Sequence, residues 1–179
     1  MLETQRLVIR AIKQDEIPRL YELNYSPFVK AFNVFEPLTL EEFKEKNKAA
    51  NPENYYLILK EDNQLIGEIS VRPDYVRYQV NAIAVSYWLG EAFTHQGYMT
   101  EALKQMIQDL FENKGYEIIT ARVFSENLAS LNLLTRLGFQ QEAYLKRAVK
   151  NTEGRVFDDI FFVLFKEDWE KNVHRKEKK

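Results

Sequence analysis

The chain has 179 residues, 45% of them apolar and 13% aromatic, which suits one globular domain with a sizeable core. Its net charge of −2, from 25 basic and 27 acidic residues, argues against a general polyanion binder, so no nucleic-acid partner is expected. There is no cysteine, which excludes disulfides, thiolate metal sites and a cysteine nucleophile, and with His95 and His174 as the two histidines no metal is expected.

The start, MLETQRLVIR, lacks the apolar region of a signal peptide, and no run approaches membrane-spanning length, so a cytoplasmic protein is expected. RLVIRAI has the composition of a strand. Ile17, Leu20, Tyr21 and Leu23 predict a short amphipathic helix within residues 15–25, with Pro18 in its first turn. Thr39 ahead of Glu41 and Glu42 marks a further helix start. YYLILKED and QLIGEISVR, separated by a turn at Asp62 and Asn63, predict an antiparallel hairpin, and NAIAVSYWLG a strand ending at Gly90.

A helix is predicted from Thr100, as its cap, to about Asn113, with Gly115 as its stop. Its apolar positions 102, 103, 106, 107, 110 and 111 form one buried face. YEIITARVF is the next strand, Asn127 to Leu137 a helix stopped at Gly138, and two further strands close the chain around a turn through Asn151 to Gly154. The strand before the long helix and the strand after it should lie parallel. The order predicts an α+β, or mixed α/β, domain over residues 1–169 with a largely antiparallel sheet, and a charged, frayed tail over 170–179. Apolar IFFVLF is a candidate edge strand, and monomer and homodimer are both open.

The loop THQGYM, between a strand end and a helix start, has two readings. It is a plain turn, or Gly97 lets a phosphate approach the free N–H groups of the helix N-terminus. No Gly-Lys-Ser/Thr and no three-glycine fingerprint accompanies it.

ETQRLVIR, IGEISV, SYWLGEAFTHQGYMTEAL, SENLASLNLLTRLGF and DDIFFVLFKEDW occur in this order from Leu2 to Trp169. Together they make the chain resemble the Gcn5-related N-acetyltransferases (GNAT), and within them the branch that acetylates ribosomal-protein N-termini (the RimJ/RimL type). The resemblance implies the GNAT fold, with a V-shaped splay between two parallel central strands, and acetyl-CoA as co-substrate. The pantetheine arm would lie along the splayed strand near Leu89, and the pyrophosphate on the N–H groups of Gln96, Gly97, Tyr98, Met99 and Thr100. Thr94 and Met99 depart from the family's loop, which keeps Gly97 in common. Leu134 stands where many relatives carry a proton-donating tyrosine. The ribosomal branch uses an asparagine and a serine three apart, matched here by Asn127, for the pantetheine arm, and Ser130, for thiolate departure. The competing reading makes Asn127 an N-cap and Ser130 a packing residue.

The implied reaction is direct attack by a primary amine, with Glu68 as first candidate base and Glu91 as second. Alternation along GEIS would put Ile66 and Glu68 on one face, where apolar surroundings raise a carboxyl pKa; a solvent-facing rim carboxylate is the alternative. His95 suits charge balance in the loop. Asp158 and Asp159 point to opposite faces as neighbours in a strand, one of them towards a cationic acceptor or both at a solvated strand end. Tyr75, Arg77 and Tyr78 are candidates for an acceptor-side loop, and Tyr87 and Trp88 for core or cleft wall. The acceptor is a ribosomal-protein N-terminus or a small amine such as a polyamine, amino acid or antibiotic. A catalytically silent CoA-binding module and a nucleotide-phosphate enzyme are the readings from other classes.

Overall fold

The computed structural model describes residues 1–151 and 153–177, with backbone alone from 174. Thr152 in the last predicted turn, and the side chain of His174, lie outside the described residues. In chain order the elements are β1 (Leu2–Glu3), β2 (Leu7–Arg10), α1 (Ile17–Asn24), α2 (Pro27–Lys30), α3 (Leu40–Lys46), β3 (Asn54–Leu59) and β4 (Leu65–Pro73). There follow β5 (Ala82–Leu89), α4 (Tyr98–Gln108), β6 (Ile118–Phe124), α5 (Leu128–Leu137), β7 (Gln140–Lys150), β8 (Val156–Phe165) and α6 (Lys166–Glu177). The chain divides into two compact units.

The first unit holds Met1–Ser70, Tyr87–Gln105 and Lys150–Arg155. Its strands β1, β2, β3 and β4 pair in sequence order, each antiparallel to the next. Thr39 caps α3 as expected: its side chain accepts from Glu42 N, and the Glu42 carboxylate accepts from Thr39 N at 2.8 Å. The apolar stripes of α1 and α3 meet one face of the strands in a core of Ile17, Leu20, Leu23, Phe43, Tyr56, Ile58, Leu65 and Trp88. Trp88 is therefore a core residue.

The second unit holds Val71–Ser86, Met106–Val149 and the chain from Val156 on. Its strands lie in the order β5, β6, β8, β7. The crossover makes β5 and β6 parallel, from Ala82↔Ile118 to Val85↔Ala121, as predicted. β6 is antiparallel to β8 from Ile118↔Phe165 to Phe124↔Asp159. Ile119, Ala121, Val123, Phe162 and Leu164 are buried on one face of that pair, while Phe124 and Phe157 stack on the other, ring centroids 4.9 Å apart. α5 stops at Gly138, whose φ of 96° is the left-handed conformation expected of a glycine stop.

Three expectations change. IFFVLF belongs to β8, which lies between β6 and β7; the outer strand is β7, studded with Lys146, Arg147 and Lys150. A charged outer strand discourages edge pairing, and Arg147 in it has a left-handed φ of 52°. The long helix does not run uniformly to Asn113: Asp109–Asn113 form a π-helical turn, closed by Lys114 N to Asp109 O at 2.9 Å. The six positions predicted as its buried face are nonetheless all buried. The tail expected to fray from residue 170 is instead helical through Glu177, as part of α6. No described helix is long and apolar enough to cross a membrane.

Candidate active site

In the first unit, β5 ends at Leu89, and Gly90 N donates to Ile66 O at 2.8 Å. A single 3-10 turn over Glu91–Phe93 follows, closed by Thr94, whose N and Oγ1 donate to Glu91 O at 3.1 and 2.7 Å. The chain then turns sharply: His95 has φ 60° and Gly97 φ 82°, both left-handed. α4 starts at once with Tyr98, and Glu101 N reaches back to Gly97 O at 3.0 Å. The N–H groups of Tyr98, Met99 and Thr100 have no acceptor within the helix, and the helix dipole makes this end partly positive. Thr100 is thus the third residue of α4, not its cap. Met99 turns its side chain inward, 7% exposed, so the interior absorbs its bulk and its backbone remains at the turn. Gln96 is exposed, and its Nε2 donates to Ala92 O at 2.9 Å.

One group at this turn left no signal in the local sequence. Arg6, 90 positions upstream, donates from Nη1 to Gln96 O at 3.0 Å and from Nε to Glu101 Oε2 at 2.7 Å. Its guanidinium lies 4.3 Å above the centre of the Tyr98 ring. Glu101 also accepts from Arg6 N at 2.8 Å and from Thr4 Oγ1. Burial pushes the Glu101 carboxyl up, but these hydrogen bonds and the Arg6 charge outweigh it and hold the group below its ordinary value.

Glu68 is half-buried in β4. The expected alternation fails at Ile66, because Leu57 pairs with Gly67 and Ile58 with Leu65, leaving Ile66 as the extra residue of a bulge. Glu68 instead shares a face with its partner Tyr56, which belongs to the core under α1 and α3. Next to it, a Cβ on Gly67 would lie 2.5 Å from Trp88 O, closer than any side chain permits, and a tight 3.2 Å from Leu89 Cα. Glu91 and His95 are exposed.

In the second unit, the parallel ladder ends at Val85↔Ala121, while β6 runs on through Phe124 paired with β8. Asn127 caps α5: its Oδ1 accepts from Ser130 N at 3.2 Å. The cap uses Oδ1 and leaves the two Nδ2 protons out of it. Ser130 is half-buried in the first turn, and Leu134 is fully buried.

Asp158 and Asp159 do point to opposite faces. Asp158 accepts from Tyr144 Oη at 2.6 Å and Arg147 N at 2.7 Å, which hold its carboxyl below the ordinary value. Asp159 is buried, and its Oδ2 accepts from Arg122 Nε at 2.7 Å and Nη2 at 2.6 Å. Burial pushes its carboxyl up, and Arg122 offsets this only in part. Asp74 ties Arg77 and Thr120, with Arg77 reaching on to Glu142, while Tyr75 and Tyr78 of the same loop are exposed. Arg122→Ala is expected to cost about 2 kcal/mol, because it strips a carboxylate with 1% of its side chain exposed of its cation. Asp159→Asn is expected to cost about 1 kcal/mol or less, since it returns a half-exposed guanidinium to water. Urea midpoints of the two variants check this order.

Residues 6–140 match the family model for the acetyltransferase (GNAT) domain. The chain belongs to the GNAT family. Like other GNAT acetyltransferases, it takes its acetyl group from acetyl-CoA. The Bacillus subtilis (strain 168) protein YnaD, an uncharacterized N-acetyltransferase, is 24% identical over 172 residues, spanning 94% of this chain and 98% of YnaD. The Escherichia coli (strain K12) ribosomal protein uS5-alanine N-acetyltransferase is 26% identical over 183 residues, spanning 94% of this chain and 92% of its own. RimL, a ribosomal L7/L12 α-N-protein acetyltransferase solved in complex with coenzyme A, shares the fold of this GNAT chain. Its TM-score is 0.75 at 19% identity, over 90% of this chain and 95% of RimL.

Proposed function

We propose that this acetyltransferase moves the acetyl group of acetyl-CoA to a protein N-terminal amine of the ribosomal-protein kind. The observation that carries the co-substrate half of the reading is the turn at His95 and Gly97, which opens the first N–H groups of α4 at the loop where the family resemblance implies the pyrophosphate rests. The similarity to the uS5-alanine N-acetyltransferase over 94% of the chain supports the choice of acceptor.

In the first unit, Gln96, Gly97, Tyr98, Met99 and Thr100 take the pyrophosphate on their backbone N–H groups, and the Leu89 backbone N–H polarises the thioester carbonyl. The amine nitrogen attacks that carbonyl carbon, the C–S bond breaks, and the amine proton passes through water to Glu68. In the second unit, Asn127 Nδ2 bonds the pantetheine arm, while Ser130 Oγ donates a hydrogen bond to the departing thiolate. With no cysteine in the chain, no acetylated thiol intervenes. Residues 1–169 are proposed to act as one acetyltransferase domain.

The test is free-thiol release from acetyl-CoA with peptides beginning Ala, Ser or Met, set against polyamines, free amino acids and aminoglycosides. Turnover with peptides above the small amines supports the reading; turnover confined to one of the small amines replaces the acceptor. Glu68→Gln is expected to lower kcat by about 100-fold, with the melting temperature little changed. Asn127 separates its two roles by substitution. Asn127→Asp keeps the cap oxygen and loses the Nδ2 donors, so stability is expected to hold while the KM for acetyl-CoA rises about tenfold. Asn127→Ala is expected to lose about 1 kcal/mol as well, read from thermal melts.

A further inference from the structure

We infer that Arg6 is a positioning residue for the phosphate grip: by holding the Gln96 carbonyl it aims the Gly97 N–H at the pyrophosphate of acetyl-CoA. The inference rests on the reading of the loop proposed above and adds to it the group that sets the loop's polarity.

The peptide between Gln96 and Gly97 is trans, so its carbonyl and its N–H point in opposite directions. Arg6 Nη1 fixes the carbonyl end at 3.0 Å. The N–H end is thereby turned away from Arg6. Without that pin, a peptide next to a glycine with φ 82° rotates at little cost, and the rotated form offers an anion the negative end of the dipole. The guanidinium is itself held by Glu101 Oε2 at 2.7 Å and by the Tyr98 ring at 4.3 Å, and the Arg6 backbone is tied to the same carboxylate, its N donating to Glu101 Oε1 at 2.8 Å. Arg6 Nη2 stands 3.5 Å from the place a Gly97 Cβ would occupy, so the fork lies against the turn itself.

Charge gives Arg6 a second task. Glu101 lies in the first turn of α4, where a carboxylate repels a phosphate approaching the same helix end. Pairing with Arg6 offsets that charge. A lysine supplies the charge but not a planar fork able to bond a carbonyl and a carboxylate together.

The experiment is a titration of coenzyme A, and of pantetheine, which lacks the nucleotide and pyrophosphate, into the wild-type protein and the Arg6→Ala and Arg6→Lys variants. Melting curves are recorded for each. Wild type is expected to bind coenzyme A at least about 100-fold more tightly than pantetheine. Arg6→Ala is expected to weaken coenzyme A binding about 30-fold and leave pantetheine within about twofold. Arg6→Lys is expected to recover no more than about threefold of that loss. If Arg6→Ala does not fold, the lysine variant decides alone. Unchanged coenzyme A affinity in the variants overturns the inference. So does an equal loss for both ligands, which marks general loosening, or full rescue by lysine, which leaves charge as the whole effect. Equal affinity of wild type for the two ligands removes the phosphate grip itself, and with it the loop reading on which the inference stands.

Discussion

Gly67→Ala is expected to be among the most damaging single-methyl changes in the chain, costing about 3 kcal/mol and most of the activity. A Cβ at position 67 would lie 2.5 Å from Trp88 O, 2.9 Å from Leu89 Cδ1 and 3.2 Å from Leu89 Cα. Two of those three atoms are backbone and cannot rotate aside, so the end of β5 must move off β4. That motion strains the bond from Gly90 N to Ile66 O and displaces Trp88, which is 8% exposed in the core under α1 and α3. It also carries the Leu89 N–H away from its proposed place on the thioester carbonyl, and losing such a donor lowers kcat by about 100-fold or more. Urea unfolding gives the stability term. Steady-state rates at a temperature where the variant remains folded give the catalytic one. A variant with wild-type midpoint and kcat would show that β4 and β5 do not need their close approach.

Gly97→Val should behave in the opposite proportion. Space is not the obstacle, since the nearest atom to a new Cβ is Arg6 Nη2 at 3.5 Å. The obstacle is φ 82°, a conformation that a β-branched residue adopts only under strain. The loop is exposed, so relaxing it is expected to cost only about 1–2 kcal/mol of stability. The relaxed turn no longer presents its N–H groups together, and the KM for acetyl-CoA is expected to rise about 30-fold or more, with kcat far less affected. Gly97→Asn, which tolerates the left-handed region, should fall between the two proteins. KM and kcat, measured with acetyl-CoA varied at saturating acceptor, separate these outcomes.

The features that the sequence made legible are those written in neighbouring residues. Thr39 with Glu42 announced the start of α3, and Gly138 the end of α5, because caps and left-handed stops depend on residue types a few positions apart. The parallel pairing of β5 and β6 followed from one helical crossover. The bulge at Ile66 was hidden because Leu65, Ile66 and Gly67 are all buried, so no polar residue betrays the break in alternation. β1, with two residues, is too short to carry a pattern. The π-helical turn at Asp109–Asn113 keeps the apolar spacing of the helix before it, and α6 is so charged that its composition resembles a tail.

The candidate site divides in the same way. Gly97 stood out beside a helix start, and the spacing of Asn127 and Ser130 allowed both a cap and a catalytic reading; the cap is present, through Oδ1. The partnership of Arg6 with Gln96 and Glu101 spans about 90 positions and rests on three-dimensional contact, which no local motif encodes.

The most direct test of acetyl transfer to an N-terminal amine is a single-turnover reaction with isotopically labelled acetyl-CoA and a peptide that begins with alanine and contains one internal lysine. The label is located by fragment mass. The expected result is label on the α-amine alone, with one free thiol released per acetyl group transferred. Label on the lysine side chain, or no label while coenzyme A still binds and a small amine is acetylated in its place, would contradict the account.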